Sequence, residues 1–168
     1  DLGIPEAQER FRTFVENALA KARHASRESG LPALADDAGL CVEAFGGLPG
    51  VDTAFYATQF GHEKGDDNKV KALLEQMRGV TDRRAALVST IVAVRSVQDP
   101  EPLIASGRVV AELTREPVGE NGFGFDPVMF IPSLGKTLAQ LDPAHKNTIS
   151  HRGQAARQMV QLIRERWL

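Results

Sequence analysis

The sequence of 168 residues has little cysteine, no long apolar run and no signal-peptide pattern, and each of these features argues against a class of protein. It contains one cysteine, so no disulfide can form within the chain. No run of about 18 apolar residues occurs, which argues against a membrane-spanning helix. The first residues lack the charged and apolar segments of a secretory signal peptide. Together these features predict a cytoplasmic protein with no membrane partner.

Charge of one sign is not in excess either. The chain has 20 Lys and Arg residues against 22 Asp and Glu residues, which gives a formal net charge of -2. Nucleic-acid-binding domains usually carry a basic patch, so nucleic acid is not the expected partner. What is present is an ordinary composition, with 42% hydrophobic and 25% charged residues. The length suits a single domain, residues 1–168, with a hydrophobic core.

An acidic pair stands in the run Leu34-Ala35-Asp36-Asp37-Ala38-Gly39-Leu40. The pattern over residues 33 to 44 predicts a strand that ends at the acids, turns at Gly39 and resumes. Ligands bind at the carboxyl ends of strands in open α/β sheets. Because neighbouring residues of a strand point to opposite faces, we expect Asp36 and Asp37 to have different roles. The simpler interpretation of the pair alone is two turn-forming residues.

Hydrophobic periodicity predicts the remaining elements. Spacings of three and four between apolar residues predict a first helix over residues 6–29. Later elements are a helix capped by Asp66 or Asp67 and ending at Gly79, strands over 85–97, 103–113 and 128–131, a short helix near 137–141 and a final helix to about Trp167. Strands and helices do not alternate strictly, so we expect an α/β fold whose sheet has both parallel and antiparallel pairs.

Four polar groups could carry chemistry. They are Glu9 with Asn17 and Lys21 on the first helix, Asp36-Asp37, the loop from Phe123 to Asp126, and Lys146 with Ser150-His151-Arg152. Carboxylates suit Mg²⁺, which takes hard oxygen ligands and keeps waters for a substrate phosphate. Lysine and arginine suit phosphates or polar base edges, and Phe123 and Phe125 offer flat faces on which a base could stack.

Each group also has a purely structural interpretation. Glycines beside aromatic residues are common in packed loops, and Ser150-His151-Arg152 could be a helix cap followed by two solvated side chains. A Ser-His hydrolase pair is disfavoured, because Ser150 and His151 are adjacent and no glycine-flanked nucleophile elbow occurs.

Five runs of the sequence resemble the inosine triphosphate pyrophosphatase family, also called the non-canonical purine NTP pyrophosphatase or Ham1-like family. The runs are Thr13 to Ala18, Ala35 to Leu40, Gly46 to Val51, Gly122 to Pro127 and Ile149 to Gly153. They follow the family's order from about residue 9 to the C-terminus. Any one run is a weak signal, whereas five in order are highly specific.

The resemblance implies a homodimeric, Mg²⁺-dependent hydrolase that cuts ITP, dITP and XTP between the α and β phosphates. It implies an α/β fold with an elongated mixed β-sheet flanked by helices and two lobes around a central cleft. By position, Asp37 matches the catalytic acid and a metal ligand, and Glu9 matches a second metal ligand. The matching substrate contacts are Ala38, Phe123, Gly124, Phe125, Asp126, Lys146, His151 and Arg152.

The sequence also departs from the family's pattern. Family members begin with a strand and a Thr/Ser-x-Asn-x-x-Lys loop that holds the triphosphate, and this sequence starts after that point. Ala38 stands where a serine is usual, and Phe55 where an arginine is usual. Two hypotheses follow: an active pyrophosphatase, or a nucleotide-binding relative with little or no turnover. The related septum-inhibitor-like pyrophosphatases are a weaker option, because the Ser150-His151-Arg152 run speaks against them.

Overall fold

The computed structural model describes residues 3–8 and 10–168, so the predicted metal ligand Glu9 lies outside the described residues. The helices are α1 (Phe14–Ser29), α2 (Tyr56–Gln59), α3 (Asp66–Gln76), α4 (Pro143–Ile149) and α5 (His151–Arg166). The strands are β1 (Ala33–Val42), β2 (Arg84–Val94), β3 (Leu103–Leu113), β4 (Met129–Ile131) and β5 (Lys136–Thr137). Short 3₁₀ turns occupy several of the connections. No helix in this part of the chain is long and apolar enough to cross a membrane.

The described strands form one sheet in the order β1-β2-β3-β4-β5, and each neighbouring pair is antiparallel. The prediction of an α/β fold with a sheet flanked by helices is confirmed. The prediction of parallel pairs is wrong for the described sheet. A parallel pair needs a crossover that carries the chain back to the end at which the first strand began. Here the segment 43–83 packs at the far end of β1, so β2 enters the sheet from there.

β1 is continuous from Ala33 to Val42, so the predicted turn at Gly39 and the placement of the acids at a strand end are wrong. Asp36 and Asp37 lie opposite Ile91 and Thr90 in the middle of the β1–β2 ladder. Gly39 serves close packing instead. A Cβ atom at this position would collide with the carbonyl oxygen of Gly50, because the segment 50–55 lies directly on the strand.

α1 begins at Phe14, eight residues later than predicted, because the side chain of Thr13 caps it. The Thr13 hydroxyl accepts a hydrogen bond from the Glu16 backbone N–H at 3.3 Å. The described residues before the cap are irregular, and the buried side chain of Asn17 holds them at Phe11. Its side-chain oxygen accepts a hydrogen bond from the Phe11 backbone N–H at 3.0 Å, and its side-chain nitrogen donates one to the Phe11 carbonyl oxygen at 3.1 Å. A polar cap thus overrides the helical spacing of the apolar residues that precede it.

α1 and α5 cover opposite faces of the sheet. Ala22 of α1 packs in a cluster with Val92 of β2, and Met159 of α5 packs in a cluster with Ile91. These neighbouring β2 residues meet different helices because side chains alternate along a strand. A larger core forms around α3 at the other end of the same strands. Between the two packed ends lies a band of strand residues, 36–39, 88–90 and 106–108, and the β1 part of this band lines the candidate site.

Candidate active site

Asp36 and Asp37 leave β1 on opposite faces, as predicted. Asp37 is 5% exposed, and its Oδ1 accepts a 2.9 Å hydrogen bond from Nζ of Lys21 on α1. Lys21 Nζ also donates to the Asp36 carbonyl oxygen at 2.9 Å. The Asp36 carboxylate instead accepts from Nε of Arg152 on α5, at 3.0 Å. The structure therefore does not bring the two carboxylates together as ligands of one ion, and only Asp37 stays a candidate for that role.

The loop from Gly122 to Asp126 folds around a buried carboxylate. Oδ2 of Asp126 accepts a 2.9 Å hydrogen bond from the Phe123 backbone N–H and forms an ion pair with Lys146 Nζ. Gly122 has φ +77°, and a Cβ atom there would collide with the same carboxylate oxygen. Glycine at this position therefore lets the loop close tightly enough to place Phe123 above Lys146.

The two aromatic residues of this loop are not equivalent. The Phe123 ring is 57% exposed, with Lys146 Nζ 4.2 Å and the Arg152 guanidinium carbon 5.9 Å from its centroid. The Phe125 ring is 4% exposed and packs edge-on against Tyr56, with centroids 6.3 Å apart. The prediction that either ring could stack on a base is therefore wrong for Phe125, because its ring belongs to the core.

The first turn of α5 brings a buried imidazole and an exposed guanidinium to the site. Ser150 caps the helix as predicted, and its hydroxyl accepts from the Gly153 N–H at 3.0 Å. His151 is buried rather than solvated, and burial is the main cause that lowers its pKa from 6.5 to about 4, with Arg152 and Lys146 adding repulsion. The imidazole is therefore neutral at pH 7. Its Nδ1 atom is buried and makes no hydrogen bond within the described residues, so the hydrogen-bonding capacity of that atom is unused.

The predicted substrate contacts converge on one cleft of about 190 Å³. Those that line it are Ala38, Phe123, Gly124, Phe125, Asp126, His151 and Arg152. Lys146 adjoins it through its contacts with Phe123 and Asp126. A second cavity, of about 670 Å³, lies beside α1 and is lined by Lys21, Asp36 and Lys64 among others.

Sequence reasoning missed two residues of α3 that also line the cleft, Asp66 and Lys69. The sequence predicts Asp66 or Asp67 as the cap of this helix, but Gly65 holds the cap position. The Asp66 carboxylate reaches across to the Phe123 loop instead. The local pattern contains no signal for this contact, because it joins residues 58 apart in the chain.

The buried His151 predicts a loss of stability in acid. Between pH 6.5 and about 4 the unfolded chain binds a proton at this imidazole that the folded chain does not, so stability falls as pH falls through this window. We expect wild-type protein to lose about 2 kcal/mol more than His151→Gln between pH 7 and pH 5. Urea unfolding of both proteins at the two pH values measures this difference. Equal losses would show that the imidazole titrates as it does in the unfolded chain.

Known proteins resemble this chain along its whole described length. The model of the Ham1 family matches residues 1–162. A dITP/XTP pyrophosphatase of Albidiferax ferrireducens is 76% identical over 168 residues, covering 100% of this chain and 84% of that protein. A dITP/XTP pyrophosphatase of Polaromonas naphthalenivorans is 73% identical over 171 residues, covering 100% of this chain and 85% of that protein.

The fold also matches that of a solved protein structure. A HAM1 protein from Coxiella burnetii matches with a TM-score of 0.92 and 43% identity, over 98% of this chain and 83% of that one. The α/β fold with its cleft is therefore that of a known class of proteins. The chain belongs to the Ham1 family, and the resemblance carried by the five sequence runs is confirmed.

Proposed function

We propose that this chain hydrolyses non-canonical purine nucleoside triphosphates, namely ITP, dITP and XTP, to the monophosphate and pyrophosphate. The observation that carries the proposal is the 76% identity to a dITP/XTP pyrophosphatase over the whole of this chain. Support comes from the cleft, which gathers an exposed aromatic face, two cations and a neutral imidazole. The identity favours this enzyme over a nucleotide-binding relative without turnover.

The cleft suits a purine base. The exposed Phe123 ring offers a face for stacking, which is sequence-tolerant and adds affinity for any base. Arg152 stands beside that ring and offers N–H donors without an acceptor, which fits a keto oxygen. His151 lines the cleft with a neutral imidazole, and Lys146 is held against Asp126 below the ring. Phe125 and Ala38 contribute apolar walls to the same cleft.

The chemistry is proposed to centre on Asp37. Its carboxylate would accept a proton from the water that attacks the α-phosphorus, and the bond from that phosphorus to the bridging oxygen would break to release pyrophosphate. The Lys21 ammonium, 2.9 Å from Oδ1, favours the ionised carboxylate that this role needs. Lys21 and Lys64 place positive charge along the cavity beside α1, which suits the phosphate groups.

Mg²⁺ is the proposed cofactor, and the carboxylate of Asp37 is a ligand of the kind that this ion takes. Mg²⁺ is commonly bound by one or two carboxylates together with substrate phosphates and waters. Within the described residues no group of three or more His, Cys, Asp or Glu could hold a metal ion. From the resemblance to the family we propose Asp37 and Glu9 as the protein ligands, the rest being supplied by the substrate and water. A bound Mg²⁺ supplies positive charge that stabilises the departing pyrophosphate.

Further properties rest on the sequence composition and, for the homodimer, on the resemblance to the family. We propose that the chain is one domain, forms a homodimer, acts in the cytoplasm and binds neither nucleic acid nor membrane. Each of these stays a prediction.

The test is an assay of pyrophosphate release from ITP, dITP and XTP, with ATP as the matched control. We expect one pyrophosphate and one monophosphate per turnover, strong preference for the keto purines, and loss of activity in excess EDTA that added Mg²⁺ restores. Release of inorganic phosphate in place of pyrophosphate would contradict the reaction. Tight binding of ITP without turnover would favour the non-catalytic alternative.

A further inference from the structure

Asp66 makes a long-range contact to the loop from Gly122 to Asp126. It is the first residue of α3, and its Oδ2 accepts a 2.8 Å hydrogen bond from the backbone N–H of Gly124. Its other oxygen, Oδ1, accepts a 3.1 Å hydrogen bond from Lys69 Nζ. Each carboxylate oxygen thus has its own donor, and the Gly124 bond is the main cause that lowers the pKa of Asp66. The carboxylate is charged at neutral pH.

The loop that Asp66 contacts needs such anchors. It has no regular secondary structure, and both Gly122 and Gly124 adopt positive φ values of +77° and +59°. The Phe123 ring is mostly exposed, so packing does little to hold it in place. Two successive backbone N–H groups, of Phe123 and Gly124, are instead held by carboxylates.

These two carboxylates differ in origin. Asp126 lies three residues from Phe123, so its hydrogen bond shapes the loop locally. Asp66 comes from α3, which packs in the large core on the other side of the cleft. The Asp66 bond therefore sets where the loop lies relative to the rest of the site.

We propose that Asp66 is a positioning residue for base recognition, which acts through the Gly124 N–H to hold the Phe123 ring beside Lys146 and Arg152. The inference rests on the proposed function, because it assigns Asp66 to the binding of the same purine triphosphates. Asp66 touches neither the base nor the reacting phosphates in this scheme. Its loss should therefore weaken substrate binding and leave the chemical step nearly intact.

The test compares Asp66→Ala with Asp67→Ala, in which the next carboxylate of the same helical turn is removed. Both variants lose a charge that favours the helix N-terminus, but only the first loses the contact with Gly124. We expect Asp66→Ala to raise the KM for ITP roughly tenfold, since a hydrogen bond to a charged group is lost. We expect kcat to change by less than about twofold, and Asp67→Ala to behave as wild type.

Two further variants separate positioning from general stability. Asp66→Asn keeps an oxygen that can accept from Gly124, so it should restore most of the wild-type KM. In a Phe123→Ala background, Asp66→Ala should add little, because the ring that it positions is already gone. If Asp66→Ala does not fold, Asp66→Ser replaces it, since the shorter side chain keeps the helix start but does not reach the loop.

Amide hydrogen exchange of residues 120–126, measured without nucleotide, decides the positioning role independently of turnover. We expect faster exchange at Gly124 in Asp66→Ala and unchanged exchange in Asp67→Ala. An unchanged exchange rate, equal effects of the two alanine variants, or full additivity with Phe123→Ala would overturn the inference. If wild-type protein fails to release pyrophosphate from ITP, the proposed function fails, whereas the exchange result still supports or overturns the role of Asp66.

Discussion

Asp37→Asn is expected to lower the kcat for ITP hydrolysis by roughly 10²- to 10⁴-fold, the usual loss when a general base or a metal ligand is removed. The amide has nearly the shape of the carboxylate but carries no negative charge and does not accept the proton of the attacking water. The Asp37 side chain is buried and accepts from Lys21, so the substitution also exchanges a charged acceptor of that ammonium for a neutral one. Pyrophosphate release under saturating ITP and Mg²⁺ measures the effect.

The matched control for this variant is Asp36→Asn. It removes the same charge from the adjacent residue, but the Asp36 carboxylate faces the other side of the sheet and contacts Arg152. We expect Asp36→Asn to change KM more than kcat, because it loosens the guanidinium near the base and leaves Asp37 in place. Thermal unfolding of both variants checks that each is folded at the assay temperature. If Asp37→Asn keeps more than half of the wild-type turnover, Asp37 is not the catalytic acid.

Arg152→Met is expected to collapse the preference for ITP over ATP. The Nε atom of Arg152 is engaged by Asp36 at 3.0 Å, which fixes the guanidinium beside the Phe123 ring. Guanidinium donates five N–H groups and accepts none, so it can bond the 6-keto oxygen of hypoxanthine but not the 6-amino group of adenine. Sites that require such a hydrogen bond can reject the wrong partner by roughly 10⁴-fold. Stacking on Phe123 contributes no such choice, because every base has a flat face.

The measurement is the ratio of kcat/KM for ITP to that for ATP. We expect Arg152→Met to reduce ITP hydrolysis far more than residual ATP hydrolysis, so that the ratio falls towards one. Arg164→Met is the control, since it removes an exposed guanidinium from the same helix three turns away from the cleft. A ratio unchanged in Arg152→Met would show that Arg152 is a solvated residue of the first turn of α5, and base choice would then have another origin.

The exposure of several site residues differs from what the sequence pattern indicates, because it depends on how the folded chain packs around them. Phe123 and Phe125 each follow a glycine in the same short loop, yet one ring is exposed and the other lies in the core. His151 follows a correctly predicted cap, but its imidazole is buried in the folded chain and is therefore neutral. These properties arise from which distant segments pack against each residue.

The sequence by itself determined the elements whose signals are local. The Ser150 cap and the apolar spacing after it located α5, and two β-branched runs around a proline-containing turn located the β2–β3 hairpin. Only the tertiary structure decided that β1 passes straight through Gly39, because the ladder with β2 and the packing of segment 50–55 outweigh a local turn signal. The contact of Asp66 with Gly124 also depends on the tertiary structure. A hydrogen bond between residues 58 apart requires the packing of α3 against the loop, and no local sequence pattern predicts it.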